Sequence, residues 1–284
     1  MAVGDWVRVM DEAAELGVEM VQFIGGEPTL HPYFLLLLDH ALKRELKVEV
    51  FSNLVRISEG LWNAFSRPGI SLATSYYSDD ADEHAIITGR PSYARTRANI
   101  IEALRRSIPL RVGLINVQDG QRVEEAAAEL KALGVIEIGT DRLRQVGRGV
   151  RHQKTDLSQL CGKCAQGVAA VSNNGEVWPC VFARWMPVGN VHRHTLSEIL
   201  TGPKMTETAA QLTTYFDACP VNTCSPDDCD PVCIPDCSPS CGPNCNPSCN
   251  PNCQPNCAPQ CGPTCDPIKC KPRECWPAFS VNSP

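Results

Sequence analysis

The stretch Val21-Gln22-Phe23-Ile24-Gly25-Gly26-Glu27-Pro28-Thr29-Leu30-His31-Pro32 decides how the chain is read. Val21, Phe23 and Ile24 make a short apolar run of the kind that forms a buried parallel strand. Gly25 and Gly26 end that strand and let the backbone come close to whatever lies above it. Glu27 then aims a carboxylate off the strand's C-terminal end, and Pro28 stops the pairing because it has no N–H to give. Parallel α/β proteins bind their ligands at such strand ends. An ordinary strand-to-loop turn would account equally for the two glycines alone.

Outward from this stretch, strand and helix signals alternate. A helix is predicted over 5–16, with Asp5 as its cap and Gly17 as its stop, leading into a strand over 18–24. Helices are predicted over 32–44, 57–66, 92–106 and 123–133. Strands are predicted over 48–51, 70–74 and 110–117, with short signals at 136–138 and 143–146. A polar connection runs through His84 and Arg90. This alternation gives an α/β fold, a parallel sheet covered by helices. An open Rossmann-type sheet and a partial barrel both fit it. No G-x-G-x-x-G follows a strand, so a dinucleotide site has little support.

The chain has 284 residues and a formal charge of −6, a balance that argues against nucleic acid or an anionic membrane as partner. No apolar run approaches the ~20 residues of a membrane span. The first residues lack the basic and apolar regions of a signal peptide, so a cytoplasmic location is expected. All 17 cysteines lie at or beyond Cys161. A secreted chain would use them as disulfides; in a reducing cytosol they read as thiolate ligands of zinc or iron–sulfur clusters.

Cys161 and Cys164 form a C-x-x-C knuckle. Two strand signals, 168–171 and 176–178, are joined at Asn173-Asn174-Gly175 and bring Cys180 back beside it. On the knuckle alone, zinc is the simplest ligand. From Cys229 to Cys265 a cysteine recurs every fourth residue, nearly always as C-x-P-x, and a proline in each unit forbids a helix. With almost no large apolar residue there, three readings stay open: further cluster ligands, a thiol-rich tail, or a flexible low-complexity extension. The lone histidines His31, His40, His192 and His194 are expected at the surface or in loops.

G-G-E-P after its apolar run resembles the glycine-glycine-glutamate motif of radical S-adenosylmethionine (radical SAM) enzymes, which holds the amino group of the bound S-adenosylmethionine. The spacing from the C-x-x-C knuckle through Gly175 to Cys180 resembles the opening of a SPASM or twitch extension, as do Val188-Gly189-Asn190-Val191 and Leu196 to Leu200 after it. That extension is the auxiliary iron–sulfur domain of peptide-modifying radical enzymes. The resemblance implies a partial (β/α)6 TIM-like barrel lacking its first strand over 1–150, a SPASM-like domain over 151–235 and the C-x-P-x tail over 236–284. It implies cofactor contacts at Gly25, Gly26, Glu27, Pro28, Ser52, Asn53, Ser75, Asn116 and Arg144, each of which could instead cap a loop. Arg148 is a further candidate for holding a carboxylate or substrate. Cluster ligands are implied among Cys161, Cys164, Cys180, Cys219, Cys224, Cys229 and Cys233, with the choice between Cys161 and Cys164 open. The spacing of the last four departs from the family pattern.

The implied cofactors are S-adenosylmethionine and a 4Fe-4S cluster. The implied partners are a peptide or protein substrate and an electron donor such as a flavodoxin or ferredoxin. The family's C-x-x-x-C-x-x-C loop, which holds the radical-generating cluster, does not occur in this sequence. It is expected upstream of Met1, in a longer protein, and the radical step is not expected of this polypeptide alone. Two alternatives stand beside this reading: a non-catalytic metal-binding or peptide-docking protein on a degenerate barrel, and a thiol-rich metal buffer.

Overall fold

The computed structural model describes residues 1–150 and 155–218, with Arg148 and Ala218 described by backbone alone. Cys219, Cys224, Cys229, Cys233 and the C-x-P-x tail lie outside the described residues, as does the side chain of Arg148. Contact clustering divides the chain into two compact units.

The first unit is built on five strands: β1 (Met20–Phe23), β2 (Lys47–Phe51), β3 (Ile70–Tyr76), β4 (Leu110–Asn116) and β5 (Glu137–Arg142). Each pairs in parallel with the next, so the spatial order is β1-β2-β3-β4-β5. This order settles the choice left open by periodicity. A doubly wound sheet reverses direction partway, whereas right-handed crossovers that never reverse place every helix on one face. The arrangement is that of a partial TIM-like barrel.

The helices of that face are α1 (Val3–Glu15), α2 (Phe34–Lys43), α3 (Glu59–Phe65), α4 (Ala81–Thr88), α5 (Tyr93–Arg105) and α6 (Val123–Ala132). Val48 and Val50 on β2, Leu72 on β3 and Val112 and Leu114 on β4 alternate toward them, meeting Leu38, Phe65, Ile100 and Leu130 in one core. Each such buried side chain stabilises the fold by about 1.5–3 kcal/mol. The residues between these point to the opposite face, which is polar: Glu49 and Arg111 are fully buried there and ion-paired.

Three local expectations change. Asp5 is not the cap of α1 but its third residue, and its Oδ2 accepts a hydrogen bond from the Ala2 N–H at 2.7 Å. The polar connection through His84 contains α4, capped by Asp80, whose Oδ1 accepts from the Asp82 and Glu83 amides. Of the two short signals near the end of the sheet, the first runs on through the polar residues Gly139-Thr140-Asp141 to Arg142 as β5, and 143–146 is not a strand.

The segment after residue 155 contains β6 (Ala170–Val171), β7 (Glu176–Trp178), β8 (Gly189–Asn190), α7 (Leu196–Thr201) and α8 (Pro203–Ala218). The units do not follow a single cut in the sequence. Residues 171–177 and 189–202 cluster with the five-stranded sheet, whereas 156–170, 178–188 and the chain from Pro203 form the second unit. In that second unit Leu160, Cys164, Cys180, Ala183 and Leu212 share a small core. Helix α8 was not foreseen; Met205, Thr208 and Leu212 give it a buried stripe.

Candidate functional site

At the C-terminal end of β1, Gly25 adopts φ 117°, a conformation open to glycine and strained for other residues. Gly26 has an ordinary φ, and a Cβ built on it would meet nothing within 4 Å. Nothing in the chain's own packing requires glycine at 26, as expected where a bound molecule approaches the backbone. Glu27 caps the short 3-10 turn Pro28–Leu30. Its Oε1 accepts from the Thr29 N–H at 3.2 Å and the Thr29 hydroxyl at 2.8 Å, and its Oε2 accepts from the Asn53 N–H at 2.8 Å. Residue 53 follows β2, so one carboxylate joins two adjacent strand ends.

The loop after β2 is held from every side. Ser52 Oγ accepts from the Leu54 N–H at 3.1 Å and Asn53 Oδ1 from the Val55 N–H at 2.9 Å. The Asn53 carbonyl accepts from the Thr96 hydroxyl, and the Leu54 carbonyl from the Asn99 amide at 2.6 Å. Leu54 is fully buried at φ 51°, a left-handed conformation costing a non-glycine residue about 1–2 kcal/mol. Ser52 is itself buried, and its hydroxyl turns the loop.

Further along, Ser75 is half-buried on the polar face of β3, opposite Gly113 of β4. Asn116 ends β4 exposed, and its carbonyl accepts from the Leu143 N–H. Gln121, which no sequence motif marks, ties these two ends together. Its Nε2 donates to the Tyr77 carbonyl at 2.7 Å and the Ile115 carbonyl at 2.8 Å, while its Oε1 accepts from the Val117 N–H. Arg144 is buried and paired with Asp141, with Nη2 2.8 Å from Oδ1. The structure therefore brings Gly25, Gly26, Glu27 and Asn53 together, sets Ser75 and Asn116 on neighbouring strand ends, and engages Ser52 and Arg144 with the chain itself.

Below this rim, Arg111 grips Glu49 through Nε at 2.7 Å and Nη2 at 2.6 Å, and Gln22 of β1 adds a further hydrogen bond to Glu49. The Arg111 guanidinium lies 5.6 Å from the Phe51 ring centroid. Three strands are thus joined by one buried polar layer.

In the second unit, Cys164 and Cys180 are buried with their sulfurs in direct contact. The knuckle that the sequence leaves undecided presents Cys164 to Cys180, while Cys161 is half-buried. Soft thiolate donors suit an iron–sulfur cluster or zinc. Among the described residues no three His, Cys, Asp or Glu converge on one point.

His31, His192 and His194 are exposed, and His40 bonds Asp11 at 2.7 Å from the half-buried flank of α2. His84 is different: it is buried among Tyr76, Tyr77 and Tyr93. Burial holds its imidazole below the usual histidine pKa.

No helix among the described residues is long and apolar enough to cross a membrane. A sequence profile of the radical SAM superfamily matches residues 1–133, and one for SPASM, an iron–sulfur cluster-binding domain, matches 161–238. The PqqA peptide cyclase of Granulibacter bethesdensis is 27% identical over 154 residues, covering 51% of this chain and 40% of that protein. The PqqA peptide cyclase of Gluconobacter oxydans is 26% identical over 155 residues, covering 54% and 43%. The chain thus spans about two-fifths of the length of these curated relatives. The crystal structure of Streptococcus suis SuiB bound to S-adenosylmethionine superposes with a TM-score of 0.60 at 15% identity, covering 74% of this chain and 61% of that one. At that identity the likeness is one of fold.

Proposed function

The chain belongs to the radical SAM superfamily, and from that premise we propose that its strand ends hold S-adenosylmethionine and its cysteines an auxiliary iron–sulfur cluster, in an enzyme that modifies a peptide. The observation that carries this reading is the state of Glu27. Its three hydrogen bonds come from neutral donors, and among the described residues no cationic side chain pairs with it. A carboxylate has about four acceptor sites, so Glu27 has one left on Oε2 for an ammonium group. The amino group of S-adenosylmethionine is such a donor, and Gly26 leaves its backbone open to close approach.

Bound beside a reduced radical-generating 4Fe-4S cluster, whose C-x-x-x-C-x-x-C is not in this sequence, S-adenosylmethionine would supply hydrogen abstraction from a substrate. The chain's own residues bind and orient. Glu27 fixes the amino group, Ser75 and Asn116 offer polar contacts on the neighbouring strand ends, and the Glu49–Arg111 layer closes the floor. Cys164 and Cys180 hold the auxiliary cluster. A peptide substrate follows from the name of the cyclase relatives, and the reading requires an electron donor such as a flavodoxin or ferredoxin.

Binding of isotope-labelled S-adenosylmethionine by the anaerobically reconstituted protein tests the first half. Glu27→Gln, which removes the charge and keeps the shape, is expected to weaken binding about tenfold or more. Unchanged affinity overturns it. Iron together with sulfide, lost in Cys180→Ala, supports the cluster; zinc without sulfide overturns it.

A further inference from the structure

Helix α1 grips the chain on the far side of the Cys180 loop. Arg8 and Glu12, one turn apart, pair at 2.8 Å. Arg8 Nη2 donates to the Val191 carbonyl at 2.7 Å, just after β8. Glu12 Oε2 accepts from the Leu196 N–H at 2.5 Å, the first amide of α7 and 184 positions away in sequence. These residues all belong to the unit that contains the five-stranded sheet.

Helix α7 has only six residues, too few to be stable by itself. Its own capping box satisfies two amides: Thr195 Oγ1 accepts from the Glu198 N–H at 3.2 Å, and Glu198 Oε2 accepts from the Thr195 N–H at 2.9 Å. The Leu196 amide is left for Glu12, whose negative charge also suits the positive end of a helix. A second turn of the same α1 face holds the strand before it.

The loop 178–188 carries Cys180. It begins at Trp178, the last residue of β7, and returns at Gly189, which pairs with Val177. Holding β8 and α7 therefore holds both ends of that loop. Helix α1 in turn leads through Gly17 into β1, whose last residue, Phe23, lies two positions before Gly25. We infer that Arg8 and Glu12 are positioning residues, clamping the ends of the cysteine-bearing loop to the helix that leads into the Glu27 strand. The inference rests on the reading of Cys180 as a cluster ligand.

The test uses the full chain with Arg8→Ala combined with Glu12→Ala, and Glu12→Gln as the conservative variant. Hydrogen exchange at Leu196 and the following α7 amides is expected to accelerate about five- to tenfold in the double variant, with Glu12→Gln between it and wild type. The electron paramagnetic resonance signal of the reconstituted auxiliary cluster is expected to shift in line shape in the double variant and to be restored by Glu12→Gln. Unchanged exchange overturns the clamp. Faster exchange with a wild-type signal overturns the positioning role. If wild type takes up no iron and sulfide, the ligand reading of Cys180 fails separately. The clamp is then decided by exchange together with alkylation of the Cys180 thiol, which must speed up in the double variant or the inference falls.

Discussion

Glu49, midway along β2, and Glu27, just past the end of β1, show how one sheet treats two carboxylates. Glu49 is fully sealed, and Arg111 supplies a guanidinium fork while Gln22 adds a neutral donor. Glu27 is half-buried and receives only neutral donors, two from Thr29 and one from Asn53. A buried charge must be neutralised by the fold itself, because removing it from water costs several kcal/mol. A charge at the rim needs no such partner and can be kept for a cation from outside. The difference separates a carboxylate that holds strands together from one fit to hold a ligand, although both lie on neighbouring strands.

The largest expected effect breaks the sealed pair. Arg111→Met leaves Glu49 buried without its partner and is expected to destabilise the protein by about 3–5 kcal/mol in chemical denaturation. Combined with Glu49→Leu, most of that loss should return, since an apolar pair of similar volume often replaces a buried ion pair at little cost. A double variant as unstable as Arg111→Met would show that the charges themselves are required.

A smaller effect concerns another buried polar group, His84. Burial lowers its pKa in the folded state, so the unfolded chain binds the proton more readily. Its contribution is complete above the unfolded histidine pKa and is lost as pH falls through that value toward the lower folded one. Wild type is expected to lose stability on acidification below about pH 6.5, and His84→Phe to show a flatter profile over that window. Parallel profiles would contradict it.

The smallest effect sharpens the rim. Glu27→Gln keeps one oxygen, enough for Thr29, but turns an NH2 toward the Asn53 N–H, so one exposed rim hydrogen bond is lost and folding stability is expected to fall by about 1 kcal/mol. A loss as large as that of Arg111→Met would make Glu27 a structural residue like Glu49.

Much of this contrast could be read from the sequence, and its limits have physical causes. The strand ending in Gly-Gly-Glu was legible because apolar alternation and glycine placement are local properties. The buried pair was not: Glu49 sits in the run Lys47-Val48-Glu49-Val50, where alternation would normally put the charge in water. Its partner is 62 residues away, on the second strand over, and no local signal reports it. Helix α4 was missed because hydrophobic periodicity was the guide, and α4 buries little but His84 and leaves Ile86 76% exposed. Its caps were present in the sequence, Asp80 with Glu83 three residues on and Gly89 after the last turn. Strand β5 runs past its apolar signal at 136–138 because Gly139, Thr140 and Asp141 pair with β4 without an apolar run, whereas the apolar residues of 143–146 lie beyond the strand. The resemblance implies ligand contacts at both Ser52 and Asn53, and no local signal distinguishes them. In the structure the serine hydroxyl lies buried inside the loop, and the asparagine backbone N–H points at Glu27.

Leu54 limits how this part of the protein can vary. Glycine there would free the left-handed backbone but empty a filled core position, whereas valine or isoleucine would fit the core and resist the backbone. The turn beside Glu27 is thereby fixed from behind, by hydrophobic volume rather than by anything it touches in front. Variation is left to the exposed loop after β4, where Gln118 and Asp119 face solvent and can be exchanged without disturbing the interior.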